Sequence, residues 1–208
     1  MIIGMNGGKL LIGGAVSKLI TVHGIRTDGR ESVDLLGEGL GYRGFDVIDY
    51  DYKNVNLGHV LFNIRAGSKR NLQYDRARGL THLAEIHDKP DIVAHSFGCL
   101  VTLRAMELNA SFGKVFWYRP AMDRDFVIPA WGCDELYIIH HPRDKAIKLG
   151  SMLSNHDFGK MGTLGSVYAP PEGKDTRITN YRSDFEGHSG DFREGLSDTA
   201  DFVAEKLR

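Results

Sequence analysis

The sequence alternates regularly between short apolar runs and segments of helical periodicity, and this alternation limits the fold more than any other feature. Strands that alternate with helices are typical of a largely parallel sheet with helices packed on both faces. The sequence therefore predicts a three-layer α/β/α sandwich with a mostly parallel, doubly wound sheet. The runs that we assign to strands are LITVHG (19–24), FDVIDYDY (45–52), DIVAHS (91–96), KVFWYRP (114–120), ELYIIHH (135–141) and TRITNYRSDF (176–185).

Helices are predicted where apolar residues recur every three or four positions. The segment at 97–108 is apolar nearly all round, as expected of a helix that packs over the middle of a sheet. Further helices are predicted near 33–40, 77–87 and 145–154. A closing amphipathic helix is indicated by Phe192, Leu196, Ala200, Val203 and Leu207.

The chain shows no internal repeat and no linker, so residues 1–208 are predicted to form a single domain. Residues 1–17 are expected to be an N-terminal hairpin or edge strand that turns at Gly13 and Gly14. Residues 159–176 are rich in glycine and proline and are predicted to be a flexible loop.

Composition excludes several classes of function. The formal net charge of −1 is not that of a nucleic-acid-binding protein. No apolar stretch reaches the roughly 18 residues of a membrane span. The two cysteines, Cys99 and Cys133, do not form a disulfide framework and suit a reducing compartment, so we expect a cytoplasmic protein. The sequence does not indicate an oligomeric state.

Chemically active side chains follow the predicted strands where these end, and in a parallel sheet those ends share one edge. The first strand ends in His23-Gly24, and the third ends at Ser96. Asp144 follows a later strand, and His188 follows the last strand. A serine, an acid and a histidine therefore occur in that chain order, each just past a strand.

The segment A-H-S-F-G at 94–98 resembles the nucleophile elbow, G-x-S-x-G, of the α/β-hydrolase superfamily. Ala94 replaces the first glycine and is small enough for the tight turn. The resemblance covers the chain from about Leu19 to the C-terminus, because the order of strands and motifs agrees throughout. It implies a small serine esterase-like or lipase-like protein without a large cap domain.

The resemblance also implies the roles of individual residues. Ser96 would be the nucleophile, and His188 would act as general base and then as general acid. Asp144 would be the carboxylate that orients the imidazole, because HHPRDKAI resembles the acid loop of the family. The backbone N–H groups of Phe97 and Ile25 would form the oxyanion hole.

The loop HGIRTDG (23–29) and the elbow would border the substrate. We therefore assign Gly24, Arg26 and His95 to substrate binding. The alternative interpretation of the loop is a simple turn closed by Asp28-Gly29.

Two assignments in the triad have alternatives. Asp123 or Asp125, past the preceding strand, could supply the acid in place of Asp144. Asp144 could also be the N-cap of the helix that follows it, and the two roles are compatible. His156 competes with His188, but no strand leads to it.

A metal site is a further alternative, because His23, His95, His140 and His141 could bind zinc beside carboxylates. Their spacing does not resemble that of a zinc site, so we expect neither a metal nor an organic cofactor. Cys99, three residues after Ser96, is expected to be a buried packing residue rather than a nucleophile.

The function that the resemblance implies is hydrolysis of a carboxylic ester or thioester through an acyl-enzyme on Ser96. The expected partner is a small-molecule or acylated substrate. An amidase or an acyltransferase would use the same triad, and a non-catalytic binding protein on the same fold is the third alternative.

Overall fold

The computed structural model describes most of the chain. The described residues are 18–25, 33–52, 69–153, 159–170 and 176–208. The predicted N-terminal hairpin or edge strand at 1–17 lies outside these ranges.

All strands of the central sheet are parallel. Its order is β2-β1-β3-β4-β5-β6, and each neighbouring pair is in parallel register. The predicted α/β sandwich is therefore confirmed. The strands are β1 (Lys18–Val22), β2 (Asp46–Tyr50), β3 (Asp91–His95), β4 (Phe112–Tyr118), β5 (Cys133–His140) and β6 (Arg177–Arg182).

Helices cover both faces of this sheet. They are α1 (Val33–Tyr42), α2 (Lys69–Ile86), α3 (Phe97–Glu107), α4 (Lys145–Leu153), α5 (Met161–Leu164) and α6 (Leu196–Leu207). Helices α2 and α3 share one apolar cluster with the sheet, whereas α1 and α6 share the other. The sheet therefore separates two hydrophobic cores.

The central strands are apolar on both sides because each side meets a helix layer. In β4, Val115 and Trp117 belong to the α2/α3 cluster, whereas Phe116 and Tyr118 belong to the α1/α6 cluster. The edge strands β2 and β6 lack fully buried residues, and their side chains are half-buried or exposed. Among the described residues, no helix has both the length and the hydropathy needed to cross a bilayer.

Two details differ from the sequence analysis. Phe192 lies in a 3₁₀ turn (Gly190–Phe192) before α6, although its ring still packs 5.1 Å from that of Tyr118. Residues 159–170 are packed rather than loose, because Met161 is fully buried and its N–H donates to the Met122 carbonyl at 3.0 Å. The rest of the predicted loop, at 171–175, lies outside the described residues.

Candidate active site

Ser96 occupies a sharp turn between β3 and α3. Its φ of 54° and ψ of −117° are unusual for a residue with a side chain, and such a conformation costs about 1–3 kcal/mol unless its surroundings enforce it. The Ser96 N–H donates to the Tyr118 carbonyl at 2.9 Å, and its carbonyl accepts from Cys99 and Ala121, each at 3.2 Å. These backbone bonds hold the serine where β3 ends and α3 begins.

Two glycines let the elbow approach the end of β1. A Cβ on Gly98 would lie 2.4 Å from the Val22 carbonyl oxygen and 2.5 Å from that of His23. A Cβ on Gly24 would lie 2.9 Å from the Ser96 Cβ. Only a residue without a side chain fits at these separations. The backbone after β1 is thereby brought against Ser96.

His188 and Asp144 meet at the carboxyl end of the sheet, as the strand-end argument predicts. The His188 Nδ1–H donates to Asp144 Oδ2 at 2.8 Å. The Asp144 side chain is 0% exposed, whereas the His188 side chain is 24% exposed. The carboxylate is therefore shielded from water, and one edge of the imidazole remains accessible.

Asp144 also caps the helix that follows it. Its Oδ1 accepts the N–H of Ile147 at 3.0 Å, in the first turn of α4, while Oδ2 binds His188. Burial raises the pKa of Asp144, but the His188 bond, the Ile147 N–H and the nearby Arg119 cation outweigh it and hold the pKa below its usual value. The N-cap role and the contact with the histidine therefore coexist.

The alternative acids lie elsewhere. Asp123 packs closely against Gly159, and Asp125 is exposed. The competing histidine, His156, lies outside the described residues. The carboxylate that contacts His188 is thus that of Asp144.

His95 links Ser96 to the His188 turn. Its Nε2–H donates to the His188 carbonyl at 2.9 Å, and the two rings lie 4.6 Å apart. Burial lowers the pKa of His95 well below its usual value, so the ring stays neutral. His95 is therefore a buried contact of the His188 turn, and its assignment to substrate binding stays a prediction. In this structure no hydrogen bond joins Ser96 to His188; such contacts often tighten only when substrate binds.

The peptide after Gly24 is held in one orientation. The Gly24 carbonyl accepts from His23 Nδ1 at 2.7 Å, and the Tyr52 hydroxyl, which donates most closely to the His23 carbonyl, lies 3.2 Å from the Gly24 carbonyl. The rings of His23 and Tyr52 stack at 4.1 Å. Because the peptide is planar and trans, fixing this carbonyl also fixes the opposite direction of the Ile25 N–H.

Comparisons with known proteins bear on the fold. No protein-family model matches the chain, and a search of curated proteins finds no significant match. Among solved structures, the chain is similar to a protein of unknown function from Agrobacterium tumefaciens that has been proposed to be an α/β hydrolase. The TM-score is 0.58 at 15% identity, covering 94% of this chain and 88% of that one. The chain has the α/β-hydrolase fold.

Two further neighbours share this α/β-hydrolase fold. A metagenome-derived lipolytic enzyme matches with a TM-score of 0.53 at 12% identity, over 94% of each chain. Dienelactone hydrolase from Anabaena variabilis matches with a TM-score of 0.50 at 15% identity, over 92% of this chain and 85% of that one. The resemblance that the sequence motifs indicated is confirmed at the level of the fold.

Two predictions for this α/β hydrolase-fold chain concern a further substrate-binding residue and a metal site. Arg26, predicted to bind substrate, lies outside the described residues. Among the side chains that the structure describes, no group of three or more histidines, cysteines or acids is arranged to hold a metal ion. Tyr52 and Arg119 were missed, although both are polar residues near the end of a predicted strand, the same signal that identified Ser96.

Proposed function

We propose that this protein is a serine hydrolase that cleaves a carboxylic ester or thioester through an acyl-enzyme on Ser96. The observation that carries the proposal is the hydrogen bond between Asp144 and His188, at the sheet edge where the Ser96 turn lies. A buried carboxylate bound to a partly exposed imidazole is the arrangement that makes the other ring nitrogen a base.

Each residue has a role in the reaction. His188 Nε2 removes the proton from Ser96 as its oxygen attacks the acyl carbon, and later returns that proton to the leaving group. Asp144 holds the imidazole in the tautomer that leaves Nε2 free, and stabilises the imidazolium that forms. Water then attacks the acyl-enzyme by the same proton transfers in reverse order.

The oxyanion of the tetrahedral intermediate needs fixed donors. The Phe97 N–H lies at the N-terminus of α3, where the helix dipole favours negative charge. The Ile25 N–H, oriented through the Gly24 carbonyl, is the second donor. Together these backbone groups would stabilise the charge without reorganising.

The substrate class rests on the fold and on its neighbours. Two of the similar structures are described as a lipolytic enzyme and as dienelactone hydrolase, and both names indicate cleavage of esters. An ester or thioester of a small molecule or of an acylated partner is therefore the proposed substrate. The mechanism uses only groups of the chain itself.

A fluorophosphonate probe, which reacts with activated serines, tests the proposal. We expect the wild type to be labelled and Ser96→Ala and His188→Ala not to be. Ser189→Ala and His82→Ala are matched controls, because Ser189 neighbours His188 in the same turn and His82 is an exposed histidine on α2. Folded wild type that resists labelling, or equal labelling of Ser96→Ala, would contradict the mechanism.

A further inference from the structure

A buried arginine contacts the segment that carries His188 of the candidate triad. Arg119 directly follows β4, and its side chain is 0% exposed. Its Nε and Nη2 both donate to Asp191 Oδ2, at 2.9 and 2.5 Å. The Asp191 side chain is only 4% exposed, so the two opposite charges are buried together.

The same guanidinium also contacts the chain before His188. Its Nη2 donates to Ser183 Oγ at 3.0 Å and to the Phe185 carbonyl at 2.7 Å. The Ser183 hydroxyl in turn donates to Asp191 Oδ1 at 2.6 Å. Arg119 thus contacts the segment that carries His188 both before and after the histidine.

We propose that Arg119 is a positioning residue that holds the segment 183–191 so that His188 keeps its orientation toward Asp144 and Ser96. The inference rests on the proposed hydrolase function for its catalytic consequence, but the orientation of His188 can be measured without turnover. The hydrogen bonds of Arg119 go to Asp191, Ser183 and Phe185 and not to Ser96 or His188, so it acts through the segment that bears the base.

The geometry favours positioning over simple stabilisation. Replacing both members of a buried ion pair by apolar residues of similar shape is often tolerated, whereas removing one member leaves an unpaired charge. A planar guanidinium with several donors fixes direction as well as distance, which an apolar side chain cannot do. Loss of the pair should therefore affect the orientation of His188 more than the folding of the chain.

The test compares two double variants. Arg119→Met/Asp191→Leu removes the buried pair with side chains of similar length and branching. Arg43→Met/Asp201→Leu is the control, because Arg43 also donates through Nε and Nη2 to one carboxylate, but this more exposed pair joins the residue after α1 to α6 and does not contact the segment 183–191. Circular dichroism and thermal unfolding establish that each variant is folded.

Two quantities are then measured: the rate of fluorophosphonate labelling and the proton NMR signal of the His188 Nδ1–H, assigned by its loss in His188→Gln. We expect labelling of Arg119→Met/Asp191→Leu to fall by about 10- to 100-fold, because small displacements of a catalytic group are costly. The His188 signal should shift or broaden. The control should match the wild type in both.

The outcomes are distinguishable. If the folded Arg119→Met/Asp191→Leu variant keeps the labelling rate and the His188 signal of the wild type, the inference is overturned. If the wild type is not labelled, the proposed function fails, and the NMR signal alone decides whether Arg119 positions His188. If the double variant does not fold, Ser183→Ala, which removes one bond between the guanidinium and the segment and keeps the ion pair, is judged by the same two measurements.

Discussion

At Ser96 the backbone conformation suits glycine, whereas the proposed chemistry requires a hydroxyl. The positive φ of 54° stores strain that the surrounding hydrogen bonds enforce. The side chain of the proposed nucleophile is thus held in a backbone conformation that residues other than glycine rarely adopt.

This strain can be measured by comparing two inactive variants. We expect the free energy of unfolding of Ser96→Gly to be about 1 kcal/mol higher than that of Ser96→Ala, because glycine adopts a positive φ without a steric penalty. Urea unfolding checks the difference. Equal stability, or a more stable alanine variant, would show that the turn is not strained.

Asp144 has two functions on separate oxygens, and one substitution separates them. In Asp144→Asn the carbonyl oxygen can still accept the Ile147 N–H, so α4 should keep its cap and the stability should change little. The amide cannot stabilise the His188 imidazolium or hold the required tautomer, so turnover should fall on the order of a thousandfold or more. Ester hydrolysis and thermal unfolding, measured on the same sample, check both parts. A large loss of stability with little loss of turnover would contradict it.

We expect Tyr52 to affect turnover by orienting the peptide between Gly24 and Ile25, whose N–H is a proposed oxyanion donor. Tyr52→Phe removes the hydroxyl that contacts the His23 and Gly24 carbonyls, so the Ile25 N–H should be held less firmly, and we expect kcat to fall by about tenfold with KM nearly unchanged. Tyr50→Phe is the control, since Tyr50 is at the end of β2 but donates to the Arg76 carbonyl. A fall in both variants would show that the effect is structural.

At the scale of elements, the site depends on how closely α3 approaches β1. The approach requires Gly98, whose Cβ would collide with two backbone carbonyls, and these cannot move aside without shifting the strand. The third element of the contact is the turn at Gly24, which lies against Ser96. Helix, strand and turn therefore position one another.

Because a Cβ at Gly98 would collide with the backbone, alanine there should change the stability in the opposite direction from alanine at a glycine that has free space around it. Gly98→Ala should destabilise the fold by about 1–3 kcal/mol. Gly41→Ala, in α1 with nothing within 4 Å of its Cβ, should stabilise it by about 0.5–1 kcal/mol. Denaturant unfolding of the two variants tests this, and a neutral Gly98→Ala would show that the helix can shift freely.

At the scale of the whole molecule, folding suppresses the protonation of several histidines. Burial, the largest cause in each case, lowers the pKa of His95, His140 and His141 below the usual value. The unfolded chain therefore binds more protons than the folded chain below a pH of about 6.5. Stability should be highest above that pH and should decline as the pH falls toward the lowered pKa values of the folded state.

The contribution of His95 to this pH dependence of stability can be measured separately. Each proton of difference changes the unfolding free energy by about 1.4 kcal/mol per pH unit. We expect His95→Gln, which cannot titrate but can still donate to the His188 carbonyl, to lose less stability between pH 7.5 and pH 5.5 than the wild type. Urea unfolding at the two pH values checks this. An identical decline in both proteins would contradict it.

Much of this architecture was predictable because its signals are local. The six predicted runs became six parallel strands. The central strands are apolar along their length because both faces are buried, whereas the edge strands β2 and β6 are half-buried or exposed. The closing helix was placed correctly except at Phe192, which packs in the same core but belongs to a 3₁₀ turn. Here local periodicity cannot distinguish a helix from a turn that buries the same side chain.

The candidate site was predictable in part. Ser96, Asp144 and His188 were proposed because parallel strands place their ends together, and the structure brings Asp144 and His188 into contact. His95 was assigned to substrate because it precedes Ser96, yet its ring turns into the protein and supports the His188 turn. Neighbouring residues on a strand face opposite ways, and adjacency in sequence does not give direction.

The sequence by itself determined the order of strands and helices, the parallel sheet and the edge where reactive side chains gather, since these follow from hydrophobic periodicity and turn residues. Only the tertiary structure decided which carboxylate contacts His188, that Arg119 binds the segment around it on both sides, and that the Tyr52 hydroxyl contacts the carbonyls of His23 and Gly24. Those contacts join residues far apart in the chain. Their geometry depends on ångström-scale packing of several elements, which no local pattern encodes.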